Sequence, residues 1–124
     1  LVKLWSCIEC VFSYTRSATT KAILDGLTAI LVFGGYRIYE VKDAPSLKKE
    51  IGKNYDLRSL AVHDAQHEHI TGKDVANVSR WASFLIMELF ALYNQFGFTT
   101  RSQIKIETDR LTGLLSNIKP SPSD

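Results

Sequence analysis

Arg58 and His63 are the two residues in this sequence best suited to chemistry on a phosphate. They stand in the run Asn54-Tyr55-Asp56-Leu57-Arg58-Ser59-Leu60-Ala61-Val62-His63-Asp64. Arginine is a permanent cation whose planar fork matches phosphate oxygens. Histidine moves protons near neutral pH. A regular helix sets two positions five apart about 140° from eclipsed around its axis. The pair converges only if the helix ends before His63 and the imidazole swings back. The polar run from Asp64 to Gly72 predicts such an end. There the helix dipole would favour the charged imidazole. By spacing alone, however, an Arg and a His so placed are most often a solvated helix edge.

The remaining reactive side chains offer less. Cys7 and Cys10 form one C-x-x-C pair, and the chain has two cysteines in all, so a four-cysteine zinc site within one chain is excluded. Their apolar, helix-like surroundings predict buried structural thiols in a reduced compartment. His67, Glu68 and His69, with His63, suggest a metal cluster, but an H-x-H pair suits a strand and this stretch reads as a solvated loop. We expect neither a metal nor a cofactor. Asp64 either holds the His63 imidazole or caps the following turn. Glu9, one acid on an apolar helix, is a candidate buried acid, although a single polar residue there is more often a rim position.

These residues need a scaffold. The 124 residues make one domain, 45% hydrophobic and 23% charged, with net charge +2. A disordered, collagen-like or linker-like chain is excluded. The charge is too mild to indicate nucleic-acid binding unaided, though it permits it. The apolar block Trp81 to Tyr93 is interrupted by Ser83 and Glu88 and is shorter than the roughly 18 residues a bilayer demands. No membrane partner is expected. The opening Leu1-Val2-Lys3 carries no signal-peptide cleavage site, so the expected location is cytoplasmic. An apolar start without Met also reads as the C-terminal part of a longer protein.

Apolar spacing predicts five helices. Val2 to Phe12 places Leu4, Ile8, Val11 and Phe12 on one face. Lys21 to Phe33 follows a Thr-Thr cap and stops at Gly34-Gly35. A weakly alternating stretch, Tyr36 to Val41, is a short strand or a loop. The third helix opens at Ala44-Pro45-Ser46 and buries Leu47, Ile51, Tyr55 and Leu57 or Leu60. The fourth, Lys73 to Phe96, is apolar on most sides and should be the central, most buried element. Its core register is Val75, Val78, Ala82, Leu85, Leu89, Leu92 and Phe96. Trp81, Phe84, Met87 and Phe90 read as core or dimer contacts. The fifth, Thr100 to Ser116, turns Ile104, Ile106, Leu111, Leu114 and Leu115 inward. The fold class is all-α: a bundle of four or five helices over residues 1–116, with 117–124 a disordered tail.

The string Tyr55-Asp56-Leu57-Arg58-Ser59-x-x-Val62-His63 resembles the signature of the HEPN superfamily, and most closely its ApeA-like branch. The helical context agrees. Leu4-Trp5-x-x-Ile8-Glu9-x-x-Phe12 is similar to that branch's first helix, and Lys73 to Phe96 to its last core helix. Asp64 departs from the glycine usual there, and His67 and His69 have no counterpart.

The resemblance implies a homodimer that brings two Arg/His motifs together, and a metal-independent RNA endonuclease of an antiphage-defence or toxin system. Carried over by position, Arg58 holds the scissile phosphate, His63 moves the proton with the ribose 2′-OH as nucleophile, and Ser59 orients phosphate or Arg58. Tyr55 and Asp56 support the motif, the first by packing and the second through a salt bridge or hydrogen bond. Lys73 and Arg80 are candidate contacts to RNA phosphates. A fused upstream domain or a cognate regulator is a further expected partner. Two rivals stand: a catalytically silent HEPN module for dimerisation or nucleotide binding, and a helical interaction domain of a larger protein.

Overall fold

The computed structural model describes residues 1–12, 19–63 and 70–117. Five α-helices follow one another: α1 (Val2–Phe12), α2 (Thr19–Phe33), α3 (Ala44–His63), α4 (Gly72–Phe96) and α5 (Arg101–Ser116). A 3-10 turn, Val41–Asp43, leads into α3. There is no strand among the described residues, so the all-α expectation holds.

The centre of the bundle is α2, not α4. It packs against the four other helices. From Asp25 to Val32 every residue is buried. The reason lies in composition: Leu27, Ala29, Ile30, Leu31 and Val32 leave that segment no polar face to turn to water. Thr28 fits there because its hydroxyl donates to the Leu24 carbonyl at 2.7 Å. Asp25 reaches the rim and meets Lys48 of α3 at 2.6 Å. A Cβ on Gly26 would lie 2.7 Å from the Phe12 ring and 3.1 Å from Thr108 Cγ2, so this glycine lets α1 and α5 close on α2.

α4 begins with a capping box. The Thr71 hydroxyl accepts from the Asp74 amide, and the Asp74 carboxylate accepts from the Thr71 amide. It ends at Gly97, as expected, whose left-handed φ of 68° suits glycine. Val78, Trp81, Ala82 and Leu85 face inward. Val75 and Phe96, expected inward, are exposed, and so are Ile86, Met87, Phe90 and Tyr93. The helix has more apolar surface than its contacts with α1, α2 and α3 cover. By length and composition alone it could cross a membrane, a property hidden when only its uninterrupted apolar block is measured.

α5 starts from a second capping box, Thr100 with Gln103. Leu111 and Thr108 are its buried residues, whereas Ile106 and Leu114 face solvent against expectation. α1 buries Trp5, Ile8 and Phe12. Cys7 and Cys10 lie off that stripe and are exposed free thiols, which corrects the expectation of burial. The stretch after α2 is a turn and loop, not a strand. Tyr39 donates its amide to the Leu31 carbonyl at 3.2 Å, and its hydroxyl accepts from Trp81 Nε1 at 3.3 Å. The expected tail, from 118 on, lies outside the described residues.

Candidate functional site

The inward stripe of α3 runs through Leu47, Ile51, Asn54, Tyr55 and Ala61, all buried. Arg58 falls in the same register, so its stem lies along the bundle and its head needs a counter-charge. Glu9 supplies it. On α1 it sits beside the buried Ile8, one turn from Trp5. Arg58 Nη2 donates to Glu9 Oε2 at 3.2 Å, and Nε lies 2.9 Å from Oε1. The second contact is a charge contact whose angle is not that of a hydrogen bond, since Nε and Oε1 are buried and lack an aligned partner. Both side chains are 19% exposed.

Three further side chains hold this pair. The guanidinium lies over the Tyr55 ring, 5.6 Å from its centroid. Tyr55 in turn meets Trp5 edge to face, with centroids 5.2 Å apart. Trp5 Nε1 donates to Asn54 Oδ1 at 2.9 Å, and Asn54 Nδ2 donates to the Asp74 carbonyl at 3.0 Å. Asn54 therefore joins α1, α3 and the first turn of α4 in one polar link. Neither Glu9 nor Asn54 was assigned to the site from sequence. The available signal was the same for both: a polar residue in a register otherwise filled by core side chains.

α3 continues through His63, its last residue. This corrects the expectation that the helix ends before the histidine. The backbone positions of Arg58 and His63 belong to one helix, about 140° apart around its axis. The His63 side chain lies outside the described residues, as do Asp64, His67 and His69. Among the described residues no group of three or more His, Cys, Asp or Glu could hold a metal ion. Ser59 is half-buried and Asp56 is exposed.

Beside the Asn54 link a surface cleft of about 320 Å³ opens between α3 and α4, lined by Glu50, Lys53, Asn54, Leu57, Lys73, Asp74 and Asn77. Lys73 is thus part of a concave surface, where two cations are balanced by two carboxylates. Arg80 is exposed and donates to Asn77 Oδ1.

At the other end of α4, Glu88 is buried and accepts from the Gly35 amide at 2.8 Å and the Tyr36 amide at 3.0 Å. It binds the chain leaving α2, and its carboxylate is occupied by that task. A smaller cleft of about 170 Å³ lies beside it, lined among others by Gln95, Phe96, Glu107 and Arg110.

No family model, curated protein or solved structure matches this chain.

Proposed function

We propose that the domain is a HEPN-like, metal-independent RNA endonuclease of an antiphage-defence or toxin system, with Arg58, Ser59 and His63 at its active edge. The observation that carries this reading is the setting of Arg58. Its guanidinium is oriented from one side by Glu9 and from below by Tyr55, yet a fifth of the side chain meets solvent. Such a fork is pre-organised for a phosphate that approaches from the open side. The motif runs to the end of α3, where His63 closes the helix.

In this scheme the ribose 2′-OH attacks the adjacent phosphorus and the 5′-oxygen leaves, giving a 2′,3′-cyclic phosphate. His63 moves the proton. Arg58 stabilises the charge gathering on the phosphoryl oxygens. Ser59 orients Arg58 or the phosphate. A second copy supplies a second Arg58 and His63. Lys73 takes a flanking phosphate in the α3/α4 cleft, and Arg80 extends that track.

The Glu9 contact also favours a second reading, the silent HEPN module. A carboxylate already neutralises the Arg58 cation, which suits a structural pair as well as an active one. Mixed RNA incubated with the protein in EDTA separates the two. The ribonuclease reading expects cleavage with cyclic phosphate ends, lost in Arg58→Ala and His63→Ala. Intact RNA with retained nucleotide binding would assign the module. Intact RNA with no nucleotide binding would leave a helical interaction domain.

A further inference from the structure

The exposed face of α4 has a regular pattern. Gly72, Ala76, Ser79, Ser83, Ile86, Phe90, Tyr93 and Gly97 are spaced alternately by four and three residues, and each is exposed. This is the a/d spacing of a coiled coil, with small residues in its first half and large apolar residues in its second half. Ile86, Phe90 and Tyr93 are 64%, 62% and 55% exposed, and Met87 flanks them. From Trp81 to Thr100 the one charged residue is Glu88, which is buried.

We propose that this seam pairs with the same seam of a second copy, antiparallel, about a two-fold axis near the middle of α4. In an antiparallel pair each a position faces a d position. Centring the axis between Ser83 and Ile86 sets Ser83 against the partner's Ile86, Ser79 against the partner's Phe90, and Ala76 against the partner's Tyr93. Gly72 meets the partner's Gly97 at the ends. Every inner layer joins one small and one large side chain, the condition for close packing. The contact is isologous and closes on itself. The flanking positions agree: Arg80 lies beside the partner's Met87, and Lys73 beside the partner's Asn94, so no two cations meet. A parallel pair would instead stack Phe90 on Phe90 and leave serine facing serine. The Ser83 hydroxyl already donates to the Ser79 carbonyl at 2.9 Å, so covering it strands no donor.

This contact does not rest on the ribonuclease reading. The N-terminus of α4, near the Asn54 link to α3, lies about 19 Å along the helix from the proposed axis, so this contact does not use that link. A chain that makes both this contact and a motif-to-motif contact assembles beyond a dimer.

The test uses disulfide trapping in chains carrying Cys7→Ser and Cys10→Ser. Mild oxidation of a mixture of Ser79→Cys and Phe90→Cys chains should give a linked dimer, and either chain alone should not. Linking of Ser79→Cys to itself would make the pair parallel and overturn the proposal. Separately, Ile86→Glu places two unpaired carboxylates near the axis and should weaken this contact by about a hundredfold or more while helicity by circular dichroism is unchanged. An unchanged sedimentation profile for Ile86→Glu would overturn it. So would a monomeric chain that floats with phosphatidylcholine vesicles, which would give the face to lipid. RNA cleavage should survive Ile86→Glu, so failure here and failure of the ribonuclease reading are separate results.

Discussion

The Arg58 guanidinium rests on the Glu9 carboxylate, with Nη2 3.2 Å from Oε2 and Nε 2.9 Å from Oε1, across 49 residues of sequence. The contact joins α1 to α3 at the one place where the α3 stripe carries a charge. It belongs to a line of contacts that continues through Tyr55, Trp5 and Asn54 to the start of α4.

Breaking this pair from one side should cost more than removing it from both. Glu9→Gln leaves Arg58 without its counter-charge and should lower stability by roughly 1–2 kcal/mol, discounted for the partial exposure of both groups. Arg58→Met in the same chain should recover part of that loss. Urea unfolding of the two single variants and the double variant gives the coupling.

Asn54→Ala should be worse. It leaves the buried Trp5 Nε1 without its acceptor and removes the side-chain donor that ties α3 to the Asp74 carbonyl, which keeps its helical partner. A loss of roughly 2–4 kcal/mol is expected. Trp fluorescence offers a direct readout, because Trp5 is fully buried and next to the altered contact.

Gly34 and Gly72 should respond in opposite ways to alanine. A Cβ at Gly34 would collide with Glu88 Oε2 and the Ile30 carbonyl oxygen, whereas one at Gly72 meets nothing within 4 Å. Gly34→Ala should destabilise by about 1–3 kcal/mol. Gly72→Ala, at the first helical position, should be neutral or stabilise by a few tenths to about 1 kcal/mol. Thermal unfolding monitored by circular dichroism ranks the two.

Both thiols should react in the folded protein. Cys7 and Cys10 are exposed, so a chromogenic disulfide reagent should titrate two thiols per chain without denaturant. Titration only after unfolding would restore the buried assignment.

Removal of the Glu9 charge should also report on RNA. If Arg58 receives a phosphate, Glu9→Gln frees its cation and should strengthen RNA binding at low salt while disturbing the fork. If Arg58 is purely structural, binding should not change. Salt-dependent binding to a short RNA, compared with Arg58→Ala, decides between them.

Much of the fold was legible from spacing. Ile8, Phe12, Ile23, Leu27, Ile51, Val78 and Leu85 sit on helical periods with turn residues between the runs, and all of them are buried. Less legible was which helix lies at the centre. α2 and α4 are both rich in apolar residues, and local periodicity reports amphipathicity, not the number of neighbours. The candidate site was half legible. Arg58 and His63 draw attention through their chemistry. Glu9 and Asn54 do not, because each acts through a partner far away in sequence.

The sequence by itself determined five helices, their order, the glycine that ends the fourth and the absence of sustained alternation, since each follows from neighbours within a turn or two. Only the tertiary structure decided that α2 is enclosed, that α4 keeps an uncharged apolar seam on the surface, and that Arg58 is neutralised by Glu9. Those outcomes depend on how much surface each helix's neighbours cover and on which side chains meet across the bundle. Such contacts are long-range: no window of the sequence contains both Glu9 and Arg58.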